Sequence, residues 1–333
     1  MVKRDQITLI SQIYGQKQVR KAIWHGNNLI CFNRNRPGTR VQSDFLDTPA
    51  FETVRPRRQI APLVFNSAHS GTTYPDRFLK MTRLDRMSIR QSEDTHVDEL
   101  FGRAPNFGAL FLRAWFPRAY LDVNREPYEL DPAMFDEALP QHLHSDSPRV
   151  AAGLGTLARV VAENKPIYRE PLSFADAQMR IEGIYRPYHA TLQKLIGETL
   201  NRFGVTILID CHSMPKLTNS SRSPLPDIVL GDRFGATCDG AIVNEIENFF
   251  SEAGLNVVRN KPYAGGYITR SYGKPDFGIH ALQIEISRHL YMNESTRLKS
   301  DNFTAIKQVI DKLVHHLARL DYSLFAEKPL AAE

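Results

Sequence analysis

The stretch FGVTILIDCHSMP, residues 203–215, joins the end of a predicted helix to a predicted strand and then to three reactive side chains. Residues 205–209 form a short apolar run rich in β-branched side chains, which is typical of a strand in the interior of a sheet. The amphipathic residues 174–203 precede this run, and Gly204 supplies the glycine at which helices commonly end. The succession of helix, glycine and buried strand predicts an α/β fold.

The same alternation recurs from about Phe51 onwards. Short apolar runs alternate there with helix-length amphipathic segments, and no internal repeat interrupts them. We therefore predict a single large α/β domain with a central mixed, largely parallel sheet flanked by helices. The predicted strands are residues 63–65, 109–112, 120–123, 205–209, 227–230 and 281–286, and the predicted helices are residues 95–101, 174–203, 239–253 and 301–320.

The composition is that of a globular protein. Of the 333 residues, 42% are hydrophobic and 24% are charged, which is enough to bury a large core. No apolar run approaches the roughly 20 residues that span a bilayer, and the N-terminus lacks the apolar region of a signal peptide. The three cysteines, Cys31, Cys211 and Cys238, are far apart and form no CxxC motif. We expect a soluble protein of the cytoplasm, kept under reducing conditions.

The net charge of +5 belongs to the N-terminal region rather than to the whole chain. Residues 1–45 contain eight Lys or Arg and two Asp, a balance of +6, which leaves 34 basic and 35 acidic residues elsewhere. Two short apolar pieces, ITLI and LIC, could form a small hairpin in this basic extension. We interpret the extension as a solvated arm and expect neither nucleic acid nor a membrane as partner; a protein that binds nucleic acid through this arm is the alternative.

Reactive residues lie at or just beyond the ends of four predicted strands. Open α/β sheets bind ligands outside the carboxyl ends of their strands, so these residues are expected to share one crevice. A carboxylate among the isoleucines of a buried strand also carries a large desolvation cost unless it is paired, liganded or functional, which singles out Glu285. The residues concerned are His69, the pair Asn124 and Arg125, the group Asp210, Cys211 and His212, and Glu285 with Arg288 beyond it.

Three interpretations of Asp210, Cys211 and His212 are open. They could be a cysteine nucleophile beside its base, a metal-binding histidine with a carboxylate behind it, or a polar strand end. Adjacent strand residues project to opposite faces, so Cys211 is expected to point away from His212, whereas Asp210 shares its face. That arrangement favours Asp210 as the group that orients a metal-bound imidazole and disfavours a cysteine–histidine pair.

Two histidines and a carboxylate form a common ligand set of catalytic zinc. His69 and His212 are the histidines at predicted strand ends, and the chain has no HExxH motif that would supply the usual helical ligands. Acidic residues suit the start of a helix by stabilising its dipole, so the residue types alone do not decide which carboxylate is the ligand. The segment SEDTHVDELF, residues 92–101, offers Glu93, Asp94 and Asp98.

Seven motifs follow one another along the chain: FNSAHSGTTYP, SEDTHVDELF, LDVNREPYELDPAMF, LIDCHSMP, PDIVLGDRFGATC, NKPYAGGYITRSYG and ALQIEISRHLYMNE. In this order they resemble the N-formylglutamate amidohydrolase family, from about Phe51 to Leu320. The implied fold is similar to that of the zinc carboxypeptidases and the succinylglutamate desuccinylase and aspartoacylase group, the zinc-exopeptidase or phosphorylase/hydrolase-like type. We divide the chain into a basic extension (1–50), a catalytic domain (51–325) and a C-terminal tail (326–333).

The resemblance implies zinc-dependent hydrolysis of N-formyl-L-glutamate, or of a close N-acyl amino acid, giving formate and glutamate in the named activity. His69 and His212 are similar to the zinc histidines. Asp94 is the preferred acidic ligand and Glu93 the alternative, and another divalent metal could replace zinc. Where the carboxypeptidase relatives have HxxE this chain has HSGT, so Thr72 stands at the position of their glutamate ligand.

The resemblance also implies roles outside the metal site. Glu285 resembles the general acid/base of the carboxypeptidases. Asn124 and Arg125 resemble the pair that grips the substrate α-carboxylate, for which a planar guanidinium can make two charge-assisted hydrogen bonds. Because N-formylglutamate has two carboxylates, Arg270 and Arg288 are further candidates. The loop YAGGYITRSYG is interpreted as a lid over the substrate.

Two related hypotheses remain open. The same zinc chemistry could act on a different N-acyl amino acid or a small peptide, or the chain could be a binding protein that keeps the pocket without the chemistry. The presence of His69, His212 and Glu285 together favours the enzyme, with a small N-acyl amino acid as its partner. The oligomeric state stays open.

Overall fold

The computed structural model describes residues 22–25, 28–31, 44–45, 49–140, 143, 146–162, 165–217 and 225–325. The chain forms two compact units, Met1–Val41 and Gln42–Glu333. In the first unit, β1 (Ala22–His25) pairs antiparallel with β2 (Asn28–Cys31). The basic extension thus contains a hairpin that includes the LIC piece, but the partner of that piece is Ala22–His25; the ITLI piece lies outside the described residues.

A seven-stranded mixed sheet forms the centre of the second unit, in the order β3-β5-β4-β6-β9-β7-β8. The four strands β5, β4, β6 and β9 run parallel, whereas β3 and β7 are antiparallel to their neighbours β5 and β9, and β8 is parallel to β7. The predicted fold class is thus confirmed. The strands are β3 (Phe51–Val54), β4 (Leu63–Ser67), β5 (Leu110–Ala114), β6 (Thr206–Met214), β7 (Ile228–Gly231), β8 (Val257–Arg259) and β9 (Ile279–Ser287).

Helices flank this sheet. The α-helices are α1 (Asp76–Met81), α2 (Val97–Leu100), α3 (Pro148–Ala151), α4 (Phe174–Arg180), α5 (Arg186–Phe203), α6 (Gly240–Glu252), α7 (Tyr267–Tyr272) and α8 (Phe303–Leu317). Short 3₁₀ helices cover Ser88–Ser92, Ala104–Phe107, Pro132–Met134, Pro275–Phe277, Arg288–Leu290 and Ser323–Phe325. None of the helices in the described part of the chain is long and apolar enough to cross a membrane.

The predicted helix over residues 174–203 is one helical segment with an irregular turn. A π-helical turn, Ile181–Tyr185, joins α4 to α5. The segment ends where predicted, because Gly204 adopts a left-handed conformation with φ of 76° and its N–H donates to Leu200 O at 2.7 Å. The glycine is required there because a side chain at such a φ is strained.

Both faces of the sheet are buried. Every residue of β6 is buried, which explains why residues 207–209 near its start form a continuous apolar run rather than an alternating pattern. On one face Ile207 and Ile209 belong to a cluster that includes Leu313 of α8, and on the other Leu208 belongs to a cluster that includes Leu192 of α5. The helical layers leave the crevice beyond the strand ends as the place for polar groups.

One predicted strand, residues 120–123, was wrong. This segment is a turn in which the N–H of Tyr120 donates to Pro117 O at 3.0 Å and the N–H of Asp122 donates to Thr156 O at 2.8 Å. Its apolar residues are fully buried without belonging to the sheet. A short apolar run reports burial, and burial alone does not distinguish a strand from an irregular buried segment. Two short strands, β3 and β8, were missed.

Candidate active site

The carboxyl ends of β4 and β6 bring two histidines together with an aspartate. His69 follows β4, His212 lies on β6, and Asp94 lies in the turn before α2. Asp94 Oδ2 is 2.9 Å from His212 Nδ1 and 3.5 Å from His69 Nδ1. The three side chains are buried and their donor atoms lie within 4.8 Å of one another. The structure therefore assembles the residues that were expected to hold a metal.

Local backbone contacts position this cluster. The N–H of Asp94 donates to His69 O at 3.0 Å, which ties the acidic turn to the loop after β4. Gly71 in that loop has no room for a side chain, because a Cβ there would lie 2.1 Å from Phe116 O. Gly71 thus allows the loop that carries His69 to pack closely against the backbone at Phe116, just after β5.

A carboxylate lies behind each histidine. His69 Nε2 is 2.8 Å from Asp122 Oδ1, and His212 Nε2 is 3.0 Å from Asp210 Oδ2. A proton on each Nε2 would be donated to these carboxylates, which leaves the lone pairs of both Nδ1 atoms facing Asp94. Asp210 lies beside His212, on the face of the strand that was predicted. Asp122 has the corresponding position beside His69, and the prediction of a strand over residues 120–123 did not anticipate it.

The electrostatics of the cluster suit a cation. Burial raises the pKa of Asp94, but the hydrogen bond with His212 and the charges of the two neighbouring imidazoles, His212 and His69, outweigh burial and hold this pKa well below its usual value. Burial lowers the pKa of His212, but Asp210 and Asp94 more than offset it and raise this pKa well above its usual value. Asp94 is therefore ionised and attracts positive charge.

The donor set fits zinc. His69 Nδ1 is buried and has no hydrogen-bond partner among the described residues, although a buried polar atom of this kind normally has one. Two imidazole nitrogens and one carboxylate oxygen are ligands that catalytic zinc sites use, with a further position left for water or substrate. The residues present thus fit a divalent metal of the zinc type.

The competing acidic residues face elsewhere. Glu93 is fully buried against Arg90, whose Nε donates to both of its carboxylate oxygens at 3.1 and 3.0 Å, and Tyr74 donates to Glu93 Oε1 at 2.5 Å. Thr72 is exposed. Cys211 belongs to the apolar cluster on the opposite face of β6, as strand alternation predicted. Among the alternatives, neither a Glu93 ligand nor a cysteine–histidine pair fits this geometry.

Glu285 lies beside His212, because β9 pairs with β6 in a register that places the two residues opposite each other. It is only 7% exposed, and its Oε1 accepts a hydrogen bond from Gln283 Nε2 at 2.8 Å. Burial, reinforced by the charge of Asp94 and opposed by that of His212, raises the pKa of Glu285 to about 7. A carboxyl group with such a pKa can both accept and release a proton near neutral pH.

Two residues near Glu285 were missed by sequence reasoning. Arg118 Nε donates to Asp122 Oδ2 at 3.0 Å, and its guanidinium lies close enough to Asp94 and Glu285 for their charges to raise its pKa against the lowering effect of burial. The pKa of Tyr263 is raised by burial and then by Glu285. The signal available for Arg118 was its position just before the apolar residues 120–123. Tyr263 lies in one of the seven motifs, but local sequence patterns do not predict the path of the loop that carries it.

Asn124 and Arg125 stand beside the cluster, but most of their polar atoms are engaged. Asn124 Nδ2 lies 3.3 Å from Asp210 Oδ2 and 3.1 Å from His212 Nε2, and its Oδ1 accepts from the N–H of Ile268 at 2.8 Å. Arg125 Nε donates to Leu154 O and its Nη1 donates to Asn124 O. Asn124 thus holds Asp210, the carboxylate behind the second histidine, while Nη2 of Arg125 lies 3.6 Å from Asp122 Oδ2.

The two remaining predicted arginines have different environments. Arg288 is buried; its Nη2 donates to Asp94 Oδ1 and its Nε donates to Ser213 Oγ, both at 3.0 Å. It therefore holds the carboxylate of Asp94 in place. Arg270 on α7 is exposed, forms an ion pair with Glu126, and lines a separate pocket.

Comparisons with known proteins show which proteins this chain is similar to. Over 239 residues the chain is 29% identical to an N-formylglutamate deformylase of Pseudomonas putida, covering 70% of this chain and 83% of the relative. It is 29% identical to a second N-formylglutamate deformylase, from Pseudomonas aeruginosa, covering 78% and 94%. The crystal structure of N-formylglutamate amidohydrolase from Ralstonia eutropha JMP134 superposes with a TM-score of 0.77 at 37% identity, covering 81% of this chain and 97% of that one.

These relatives and the site define the class of protein: it is an amide-cleaving hydrolase. The sequence model of N-formylglutamate amidohydrolase matches residues 61–292, which is most of the chain. The chain therefore belongs to the N-formylglutamate amidohydrolase family, as the seven motifs indicated.

Proposed function

We propose that this protein is a zinc-dependent hydrolase of N-formyl-L-glutamate that releases formate and glutamate. The observation that carries the proposal is the position of Glu285, a buried carboxylate with a raised pKa, directly across the β6–β9 ladder from His212. The activity named for the relatives supports the choice of substrate.

His69, Asp94 and His212 would hold the metal. Zinc bound there would supply a water of lowered pKa and a Lewis acid for the scissile carbonyl. Asp122 and Asp210 keep the two imidazoles in the tautomer that presents Nδ1. Arg288 and Ser213 fix Asp94 through its other oxygen, so the ligand atom Oδ2 stays directed at the histidines.

Glu285 would move the proton. As a carboxylate it accepts the proton of the attacking water, and as a carboxylic acid it gives that proton to the nitrogen of the leaving amino acid when the C–N bond breaks. Arg118 carries positive charge next to Glu285 and would stabilise the negative charge that develops on the carbonyl oxygen. Arg125 remains the candidate partner of the substrate α-carboxylate, with Asn124 in a positioning role.

The test combines metal analysis with turnover of N-formyl-, N-acetyl- and N-succinyl-L-glutamate. We expect bound zinc, hydrolysis of the N-formyl substrate, loss of activity with a chelator and its return on adding zinc. Glu285→Gln should lower kcat by about 10²- to 10⁴-fold while metal content stays unchanged. Glu252→Gln, at the exposed end of α6, is the matched control and should keep full activity. Full turnover by Glu285→Gln, or by metal-stripped protein, would refute the mechanism.

A further inference from the structure

A pocket lined by three arginines opens beside the candidate active site. Its volume is about 370 Å³, and its walls include Arg149, Arg233 and Arg270 together with Ser147, Gly266 and Tyr267. We call it the arginine pocket. Its residues come from α3, from the loop after β7 and from α7, which are far apart in the sequence.

The positive charge of the arginine pocket is only partly compensated. Arg270 forms an ion pair with Glu126, whereas within the described ranges neither Arg149 nor Arg233 has an acidic partner at ion-pair distance. Arg233 Nη1 donates only to a backbone carbonyl, Gly265 O, at 3.2 Å. Burial, and then the charges of Arg270 and Arg149, lower the pKa of Arg233. Guanidinium groups held together against their mutual repulsion favour an anion between them.

Two hydrogen bonds connect the arginine pocket to the catalytic carboxylate. The N–H of Gly266 in the pocket wall donates to Gln283 Oε1 at 2.9 Å, and Gln283 Nε2 donates to Glu285 Oε1 at 2.8 Å. Gln283 and Glu285 lie on the same face of β9, about 7 Å apart. Gly266 also packs on Asn124, since a Cβ there would lie 2.4 Å from its amide. The wall of the pocket is therefore in contact with residues that border the reacting centre.

Arginine side chains lie both in the arginine pocket and near the candidate active site. Burial lowers the pKa of Arg125; Asp122 opposes this, and the charges of Arg118 on one side and Arg149 on the other lower it further. Arg118 lies at the catalytic centre and Arg149 in the arginine pocket. Arg125 is thus close enough to be influenced both by Arg118 and by an arginine of the pocket.

We propose that the arginine pocket binds the side-chain carboxylate of an N-acyl dicarboxylic amino acid and selects such substrates over neutral ones. The proposal rests on the proposed function, because it deepens the substrate class of the same site. Two methylene groups separate the side-chain carboxylate of glutamate from its α-carbon, so the acyl group and this carboxylate can occupy neighbouring sites at once. Arg149 and Arg233 become specificity-determining residues, and Arg270 keeps its predicted contact with substrate.

The test compares N-formyl-L-glutamate with N-formyl-L-glutamine, which has the same shape without the charge. We expect kcat/KM of the wild-type protein to favour the glutamate derivative by about 10- to 100-fold. Arg149→Gln and Arg233→Gln should each remove most of that preference, through a higher KM for the glutamate derivative, and leave the glutamine derivative unchanged. Arg103→Gln, an exposed arginine paired with Asp311, is the control and should keep the preference.

Calorimetric binding of L-glutamate and L-glutamine to the zinc-loaded wild-type protein and the same variants makes the test independent of turnover. Preferential binding of glutamate that Arg233→Gln abolishes supports the arginine pocket. Equal handling of both ligands by the wild-type protein, or equal losses for both in the variants, would overturn it while the hydrolase function stands. Absence of hydrolysis for every N-formyl substrate would instead overturn the proposed function, and the binding data would still decide on the pocket.

Discussion

Each of the two histidines beside Asp94 is held by a carboxylate on the nitrogen that faces away from Asp94. Asp122 holds His69 at 2.8 Å and Asp210 holds His212 at 3.0 Å. Such a contact fixes the tautomer and the ring orientation and increases the basicity of the ligand nitrogen. The two aspartates are chemically similar but reach the cluster from different parts of the chain, one from a turn and one from a strand.

Asp122→Asn and Asp210→Asn should therefore weaken zinc binding by about 10- to 100-fold, because an amide holds the imidazole less strongly than a carboxylate does. Competition with a chelator of known affinity measures the effect on the folded protein. Asp311→Asn, at an ion pair of α8 with Arg103, is the control and should bind zinc as the wild type does. Unchanged zinc affinity in both variants would show that the aspartates do not support the ligands.

His280 on β9 is built into the core in its neutral form. Its Nδ1 accepts a hydrogen bond from the N–H of Asp239 at 3.1 Å, and its Nε2 lies 3.3 Å from Phe325 O. Protonation of His280 Nδ1 would place its N–H group against the N–H group of Asp239. Burial lowers the pKa of His280, while Phe325 and Asp239 oppose the shift.

Because the folded pKa of His280 is below the unfolded value of about 6.5, the unfolded state takes up this proton first as pH falls. The contribution of His280 to stability is complete above about pH 6.5 and is lost as pH decreases below that value. The melting temperature measured from about pH 7.5 to about pH 5 should fall less steeply in His280→Gln, whose amide can make both contacts without titrating. Parallel pH profiles would argue against this role.

The pairing of two central strands explains why the site residues share one crevice. β6 and β9 pair along their whole length, so Asp210 faces Gln283 and His212 faces Glu285. A slip of one residue would turn each of these side chains to the opposite face, where Cys211 and Ile284 now lie in the apolar core. Burial on both faces makes the register of the two central strands well determined.

Two glycines provide a matched test of how tightly the elements pack. Gly197 lies within α5, and a methyl group added there would have no neighbouring atom within 4 Å, whereas a Cβ on Gly266 would lie 2.4 Å from the Asn124 amide. Gly197→Ala should raise stability by about 0.5–1 kcal/mol and leave activity unchanged. Gly266→Ala should lower stability by about 1–3 kcal/mol and lower kcat/KM, because Asn124 must move away from His212. Thermal melts and kinetics of both variants test these expectations. A gain of stability in Gly266→Ala would contradict the close contact between Gly266 and Asn124.

In the molecule as a whole, the family match excludes the basic extension (1–50), and the compact unit that contains the site excludes the first 41 residues of that extension. The match covers residues 61–292, and the second unit begins at Gln42. Asp44 accepts a hydrogen bond from Tyr120 at 3.0 Å, so residues just after this boundary contact the second unit.

Removal of residues 1–41 should therefore leave the melting temperature and kcat/KM of the remaining protein unchanged. The same pair of proteins tests the alternative role of the extension, since salt-sensitive binding of DNA by the full-length chain alone would assign the basic residues a nucleic-acid partner. A folded but inactive truncated protein would show that the extension contributes to the site.

Local sequence patterns were sufficient to predict which face of each central strand carries chemistry. The two-residue period of a strand is a local property, so Asp210, His212 and Glu285 could be assigned to the crevice and Cys211 to the core without any knowledge of the neighbours. The helix end at Gly204 could be predicted in the same way, because the need for a residue in the left-handed conformation is a local property of the chain. The family could be recognised because its motifs combine such positions in a fixed order.

The geometric reasons for the choice of acidic ligand and for the path of residues 120–123 came from the fold. Asp94 and Glu93 are adjacent and chemically alike, and the choice between them depends on Arg90 and Tyr74 on one side and two histidines on the other. Residues 120–123 became a turn because their partners lie in the loop at Thr156, not in the sheet.

The places of the arginines depend on the same long-range packing. Arg288 is paired with Asp94, Arg118 lies near Glu285, and Arg149 and Arg233 meet in one pocket. Contacts between residues far apart in the chain depend on how whole elements pack, and local patterns of hydrophobicity and turn residues carry no information about the partner of a given charge.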